Sequence, residues 1–283
     1  MLSSVFFIVA KRPCASAKEK LYILNMGSTG GSFNGQMTAY AEDLSKYYDV
    51  EYVQGKGCNK ASANIDKITN NGGQVFYIWS GQRTADYYNK KNDLCGKIPS
   101  EQNFVNSVLK YGIFFTTQDG IDKNNIFKSG IKVGYNNNTN QRYLQELMNS
   151  HGVEWQLVRY ENSKGVTLGV LNGEVDFGIV NSAKRYWRNE SKLTALYNLS
   201  DEDNSGIPSL SKAIKGAPIK NLFDNFVYYG NNKAEVLANM QKAFNSGDSA
   251  SNKWISSAKG YVHNINTPNN GWLEMFIDQY PMK

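Results

Sequence analysis

The stretch KLYILNMGSTGGSFNGQMTAYAEDLSKYYDVEYVQGKGCNKASANIDKITNNGGQVFYIW, residues 20–79, decides the fold. Lys20 to Met26 is an apolar run of strand length that stops at a glycine- and hydroxyl-rich turn, Gly27 to Ser32. Beyond the turn, Met37, Tyr40, Ala41 and Leu44 recur at the spacing of one helix face, so Phe33 to Tyr47 is expected to be helical with Ser32 as its N-cap. Asp49 to Val53 repeats the strand, Gly55-Lys56-Gly57-Cys58 the turn, Ala61 to Ile68 the helix and Val75 to Trp79 the strand. Strands alternating with helices across short loops predict a parallel sheet with right-handed crossovers.

The pattern restarts at Ile131 to Tyr135, a strand followed by the polar loop Asn136-Asn137-Asn138-Thr139. Asn140 to Ser150 is expected to be a helix with Tyr143, Leu144 and Leu147 on one face. Trp155 to Val158 reads as a strand, Gly165 to Leu171 as a helix and Val175 to Val180 as a strand. Later, Phe223 to Tyr229 is an aromatic-rich strand, and Ala234 to Phe244 and Trp272 to Tyr280 are amphipathic helices. Two α/β units within 283 residues fit two domains at about 150 residues each.

Composition narrows the class. Hydrophobic residues make up 41% and aromatics 13%, enough for two cores and too much for global disorder. No apolar run reaches the roughly 18 residues of a spanning helix. The net charge of +6 comes from lysines scattered singly rather than in basic runs, which reads as a solvated surface and not a nucleic-acid footprint. Asparagine occurs 34 times, so an Asn-rich loop is weak evidence of function by itself.

Leu2 to Ala10 is a short apolar stretch, and Cys14-Ala15-Ser16-Ala17 follows it as a small-residue cleavage site. Residues 1–17 are therefore expected to be a secretory signal, although Lys11-Arg12 stand after the apolar run instead of before it. Cleavage would leave Cys58 and Cys95, the right parity for one disulfide in an oxidising compartment; two unpaired thiols are the alternative. With only His151 and His263 and no CxxC, a zinc site or a histidine-based triad is poorly supplied, and no metal or cofactor is expected.

The two loops between strand and helix carry the chemistry. The first N–H groups of a helix lack intrahelical partners and carry partial positive charge. Glycines let an anion approach that backbone, and Ser28, Thr29 and Ser32 add hydroxyl donors beside Gly30 and Gly31, making a candidate anion cradle. It is neither a P-loop nor a G-x-G-x-x-G fingerprint. An ordinary glycine turn is the plainer reading. The loop at Gly134 to Asn140 occupies the same place in its own unit. Two such loops in two domains point to a ligand held between them, outside the carboxyl ends of the strands.

At this point the chain resembles a known family, the tripartite tricarboxylate transporter substrate-binding proteins, or Bug-type periplasmic receptors. LYILNMGSTGGSFNGQMTAYAEDLSKYY, residues 21–48, is similar to their opening strand, Gly-Gly-Gly-Thr-Asp turn and helix ending in Leu-Ser. Counting back from Leu44-Ser45 puts Asn34 on the family Asp, Phe33 on the Thr, and Gly30-Gly31-Ser32 on the glycines. GKGCNKA at 55–61 is similar to the family's second glycine turn. IKVGYNNNTNQRYLQEL at 131–147 is similar to the Ser-x-Gly-x-Gly-Ser segment, with Tyr135, Asn137, Thr139 and Asn140 on the motif positions. Asn172-Gly173-Glu174-Val175-Asp176 and Ile207-Pro208-Ser209-Leu210 follow further family patterns in the same order.

The resemblance implies an α/β, two-domain Venus-flytrap of the type II periplasmic-binding class, with two parallel or mixed sheets flanked by helices. It implies a first domain of residues 18–118 plus 222–283 and an inserted domain of residues 119–221, hinged at Thr116 to Gly120 and about Ala217 to Phe223. A small organic carboxylate would be held by main-chain amides and hydroxyls, and delivered by a periplasmic monomer to membrane transporter subunits. The implied ligand residues are Ser28 to Ser32, Asn34 and Ser80 in the first domain, with Tyr135 and Asn137, Asn138, Thr139 and Asn140 in the second. Asp176 and Asn181, in and just beyond the strand at Val175 to Val180, complete the set. Arg83 and Arg142 are candidate carboxylate clamps, with a plain surface role as the alternative. Gly31→Val is expected to cost the most affinity; Thr29→Ala and Asn137→Ala should weaken binding with little change in the melting of the free protein.

Two other classes stay open. The segment around Asp176 also resembles type II binding-fold transferases such as ATP phosphoribosyltransferase. Against an enzyme stand the missing phosphate loop, the lack of a catalytic carboxylate pair and the scarcity of histidine. A structural or virion-associated reuse of the receptor fold is the other alternative.

Overall fold

The computed structural model describes residues 17–26, 32–55, 58–80, 103–117, 126–181, 189–258 and 261–264. Residues 1–16, the loop at Gly27 to Gly31, Arg83, Cys95 and the expected helix at Trp272 to Tyr280 lie outside them.

The opening stretch folds as read: β1 (Lys20–Asn25), α1 (Ser32–Leu44), β2 (Asp49–Gln54), α2 (Cys58–Asn70) and β3 (Gln74–Ser80). β1 lies between β2 and β3 and is parallel to both. Three strands complete this sheet: β4 (Phe104–Tyr111), β10 (Asn221–Tyr229) and β11 (Tyr261–Asn264), in the order β11-β4-β10-β3-β1-β2. β10 runs antiparallel to β3 and β4, so the sheet is mixed.

Strand alternation sorts the side chains onto two faces. Leu21, Ile23, Phe76, Phe226 and Tyr228 face α1 together with α6 (Lys233–Phe244) and α7 (Ala250–Ala258), which add Val236, Met240 and Ile255. Phe76 and Phe226 stack with centroids 5.5 Å apart, and Tyr40 meets Phe226 edge-on at 4.6 Å. Leu24, Val75, Tyr77 and Val227 face α2 on the other side, over Ala61 and Ile65.

The second unit is built likewise from β6 (Lys132–Tyr135), α3 (Asn138–His151), β7 (Gln156–Arg159), α4 (Ser163–Leu171) and β8 (Phe177–Val180). With β5 (Ile113–Thr116) and β9 (Thr194–Asn198) they form a five-stranded sheet, β7-β6-β8-β5-β9, and the short α5 (Leu210–Ala213) follows β9. α3 covers one face through Tyr143, Leu144 and Leu147, and α4 the other through Val166 and Val170. α3 stops at Gly152, whose φ of 62° is the left-handed conformation that glycine adopts without strain.

The chain passes between the sheets twice. β4 ends at Tyr111 and β5 starts at Ile113 in the other sheet, so the first crossing is Gly112, ahead of the expected segment at Thr116 to Gly120. Thr116 is instead the last residue of β5, inside the second sheet. A side chain at Gly112 would meet Leu199 Cδ1 at 2.7 Å and Val180 O at 3.1 Å, so Leu199 and the strand end would have to shift to admit one. The return crossing, from Lys220 into β10 at Asn221, falls within the expected Ala217 to Phe223.

The C-terminal helices belong to the first unit. Asp43, 1% exposed on α1, accepts hydrogen bonds from Ala250 N at 2.9 Å and Ser251 N at 3.0 Å, and from the Ser249 and Ser251 hydroxyls. A carboxylate from α1 thus caps α7 across more than 200 residues of chain. Among the described residues no helix is long and apolar enough to cross a membrane.

Candidate functional site

The strand register places both carboxyl edges at the crossings. Ser80, the end of β3, pairs with Asp224 just after the return crossing. Val180, the end of β8, pairs with Ile113 just after Gly112. The ends of β1 and β3 in one sheet, and of β6 and β8 in the other, therefore converge on the two connecting segments.

In the first half, Ser32 is the first helical residue of α1 rather than its cap. Asn34 lies in the first turn, half-buried, and its Oδ1 accepts from Asn25 Nδ2 at 2.7 Å and from the Tyr52 hydroxyl at 3.0 Å. Asn25, fully buried at the end of β1, also donates to Gln54 Oε1 at 2.8 Å. An aspartate at position 34 could accept the same two bonds. Asparagine therefore replaces a negative charge with a two-hydrogen donor and leaves the supporting network unchanged. Ser80 stands at the strand end where it was expected.

In the second half the asparagine run forms a connected network. Asn137, with extended backbone at φ −156° and ψ 163°, is the N-cap of α3, and its Oδ1 accepts from Asn140 N at 2.9 Å. Its Nδ2 donates to Asn136 Oδ1 at 3.2 Å. Asn140, fully buried, donates from Nδ2 to Asn136 Oδ1 at 3.1 Å and to Ile179 O at 3.4 Å. Asn136 Nδ2 donates in turn to Ser163 Oγ at 3.3 Å, joining the loop to the start of α4. Asn138 and Thr139 open the helix, and their N–H groups have no protein partner among the described residues. That is an amide pair free for an anion at the positive end of a helix. Arg142 lies one turn further along α3, half-buried.

Three sequence-derived expectations change. Tyr135 ends β6, yet its ring belongs to the core with Val133 and Leu144, and its carbonyl accepts from Tyr160 N at 2.8 Å. Asp176 sits at the opposite edge of the sheet: it precedes β8, its Oδ2 accepts from Lys132 N at 2.8 Å, and its carbonyl accepts from Thr116 Oγ1 at 2.8 Å. It secures the amino ends of β6 and β8. Asn137 already uses its side chain as a cap, so replacing it with alanine must also lower the stability of the free protein.

Asn181 follows β8 at the carboxyl edge, and its Oδ1 is buried without a hydrogen-bond partner among the described residues. Two residues missed from the sequence share this property. Gln36, on the second turn of α1, and Asn225, opposite Trp79 on β10, are fully buried with both amide atoms unpartnered among the described residues. Buried polar groups are nearly always satisfied, and leaving one unmade costs about 1–3 kcal/mol. All three orphaned amides lie near a carboxyl strand end or a crossing. The sequence offered no signal for Gln36, which sits in an otherwise ordinary amphipathic helix.

Tyr160 supports the second half from behind. A Cβ on Gly169 would lie 2.1 Å from its hydroxyl, and one on Gly134 would lie 3.1 Å from its ring. Its hydroxyl donates to Glu174 Oε2 at 3.0 Å. Burial, reinforced by that carboxylate, pushes the Tyr160 phenol up to about 12.

No family model matches the chain, and no curated protein matches it by sequence. Solved structures do. A TctC solute-binding protein from Polaromonas aligns with a TM-score of 0.63 over 94% of this chain and 96% of that one, at 13% identity. This chain has the fold of a periplasmic solute-binding protein. MatC from Rhodopseudomonas palustris, solved with bound malate, aligns at a TM-score of 0.65 and 10% identity over 94% of this chain and 99% of its own. Another R. palustris protein, solved with adipate, reaches 0.68 at 15% identity over 94% and 95% of the two chains. The family resemblance read from the motifs is matched at the level of the fold.

Proposed function

We propose that this protein is an extracytoplasmic receptor that holds a small organic carboxylate between its two units and presents it to membrane transporter subunits. The observation that carries the reading is the set of unpaired groups at the carboxyl edges: the Asn138 and Thr139 amides, and the buried side chains of Gln36, Asn181 and Asn225. A carboxylate would satisfy the donors among them, the Asn138 and Thr139 N–H groups, Gln36 Nε2 and Asn225 Nδ2, while Gln36 Oε1, Asn181 Oδ1 and Asn225 Oδ1 accept and call for a hydroxyl or other donor elsewhere on the ligand. The first two are N–H groups at a helix N-terminus, which favours an anion.

The binding set runs from Ser28 to Ser32 with Asn34 and Ser80 on one side, and from Asn137 to Asn140 with Asn181 on the other. Asn34 favours an acid over the family aspartate because it presents hydrogens and no charge. The work is binding rather than catalysis. The protein acts as a monomer, exported by the signal at residues 1–17, and its closed form is what a membrane partner reads. Malate and adipate, the acids held by two proteins of the same fold, are the first probes.

The test is a thermal-shift screen of dicarboxylates, tricarboxylates, aromatic acids, amino acids and neutral sugars. A single bound acid should raise stability by about 2.7 kcal/mol at one hundred times its Kd. Hits confined to sugars would refute the carboxylate assignment, and no shift with any compound would favour a structural role for the fold.

A further inference from the structure

Lysine is among the residues least often buried, yet Lys220 is 2% exposed. It is the residue at which the chain returns to the first sheet, and its backbone N–H donates to Leu199 O at 2.7 Å. Its side chain turns toward the second unit. Nζ donates to Asn140 Oδ1 and lies 5.1 Å from the centroid of the Tyr143 ring. Tyr143 is held in turn by a hydrogen bond from its hydroxyl to Pro218 O at 2.9 Å, and burial pushes its phenol far up, so the ring beneath the ammonium stays neutral.

This ammonium is the first link of the asparagine network. Lys220 donates to Asn140, Asn140 to Asn136, and Asn136 to Ser163. Asn140 is also the third residue of α3, and its N–H is the one capped by Asn137. A full positive charge therefore stands against the first turn of the helix whose Asn138 and Thr139 amides face outward unpaired. In a water-poor setting such a charge adds to the field of the helix terminus, and it acts on an anion there without touching it.

We propose that Lys220 is the positioning residue that makes the second-unit loop selective for anionic ligands, by orienting Asn140 and by placing a buried positive charge behind the α3 N-terminus. This rests on the carboxylate reading above and goes beyond it by naming the source of charge selectivity. It also ties ligand sensing to the crossing segment, because the same residue belongs to both. The side chains from Asn136 to Asn140 are neutral amides and hydroxyls; Lys220 brings a cation to them from the crossing segment, and Arg142 stands one turn further along α3.

The test uses the unliganded full-length protein and two variants, titrated calorimetrically with adipate, malate and any other acid that the wild type binds. Lys220→Gln keeps a donor for Asn140 and removes the charge; Lys220→Arg keeps the charge. The Gln variant should lose at least about tenfold in affinity, the order of one charge-assisted hydrogen bond. The loss should be larger for a dicarboxylate than for its monoamide, and Arg should recover most of it. A merely structural lysine would lower melting without this dependence on ligand charge. A folded Lys220→Gln protein that binds within twofold of wild type, with the same loss for acid and amide, overturns the inference and leaves the carboxylate reading standing. A wild type that binds no acid at all defeats both. If Gln is not tolerated, lysine-labelled wild type serves: adding the bound acid should shift the buried ammonium resonance, and an unchanged spectrum overturns the inference.

Discussion

Asn137 lends itself to a pair of substitutions that separate stability from binding. Asn137→Ala removes the acceptor for Asn140 N and the donor to Asn136 Oδ1. Loss of an N-cap costs about 1 kcal/mol, and the second amide bond about 0.5–1 kcal/mol. Together they predict a melting drop of about 3–8 °C, at 2–4 °C per kcal/mol for a chain of this size. Asn137→Asp keeps the acceptor and adds a negative charge at the helix N-terminus, which stabilises by about 0.3–1 kcal/mol, but it gives up the donor to Asn136 Oδ1, about 0.5–1 kcal/mol. The free protein should then melt close to the wild-type temperature and above Asn137→Ala. The added charge repels a ligand carboxylate on the adjacent Asn138 and Thr139 amides by about 1–3 kcal/mol, so affinity should fall roughly tenfold to a hundredfold. Differential scanning fluorimetry and isothermal titration calorimetry on the same samples read both quantities. An Asn137→Asp protein of near wild-type melting that still binds acids at wild-type strength would show that the helix end is only a capped turn.

Three further outcomes follow from the packing. Asp43→Asn leaves at least one of the four donors around that buried carboxylate without an acceptor and weakens the cap on α7; a loss of about 2–4 kcal/mol is expected in urea unfolding, and a change below 0.5 kcal/mol would remove the tie between α1 and the C-terminal helices. Gly169→Ala pushes a methyl against the Tyr160 hydroxyl and should destabilise by about 1–3 kcal/mol, an effect that Tyr160→Phe in the same chain should partly relieve. Tyr160 ionises only near 12 in the folded protein and near 10 in the unfolded one, so its contribution is intact below pH 10 and is lost as pH rises toward 12; absorbance at 295 nm in Tyr160→Phe should lack one of the several late-titrating phenols, and an alkaline titration with the same number of them would count against the Glu174 contact.

The two β-α-β-α-β units were legible because their signals are local. Leu21 and Ile23 alternate with Leu24's face within one strand, and Tyr143, Leu144 and Leu147 share one helix face, so short windows sufficed. β4 and β5 were not legible: FVNSVLKYGIFFT reads as one apolar run, and only the long-range partners of each half reveal that Gly112 divides two sheets. β9, β11 and α7 were missed for the same reason. α7 depends on Asp43, far away in the chain, to close its first turn. At the site, the abundance of asparagine argued against weighting the run at 136–140, whereas the structure bonds three of its members into one network. Lys220 was read with the other lysines as surface, since nothing in a sequence distinguishes a lysine that enters a strand at a crossing from one in solvent. Asp176 was misplaced although chain order already put it at the beginning, and so the amino edge, of its strand; the motif resemblance was followed instead, and the bond from Lys132 N decides it.

The central claim is that unpaired groups at the carboxyl edges of both sheets hold a small organic acid. Calorimetric titration of the protein with malate, adipate and their neutral diamides tests it most directly. The account predicts saturable one-to-one binding of at least one acid, with its diamide at least tenfold weaker and a matching rise in melting temperature. Equal affinity for an acid and its diamide, or binding of neutral sugars with no response to any acid, would contradict it.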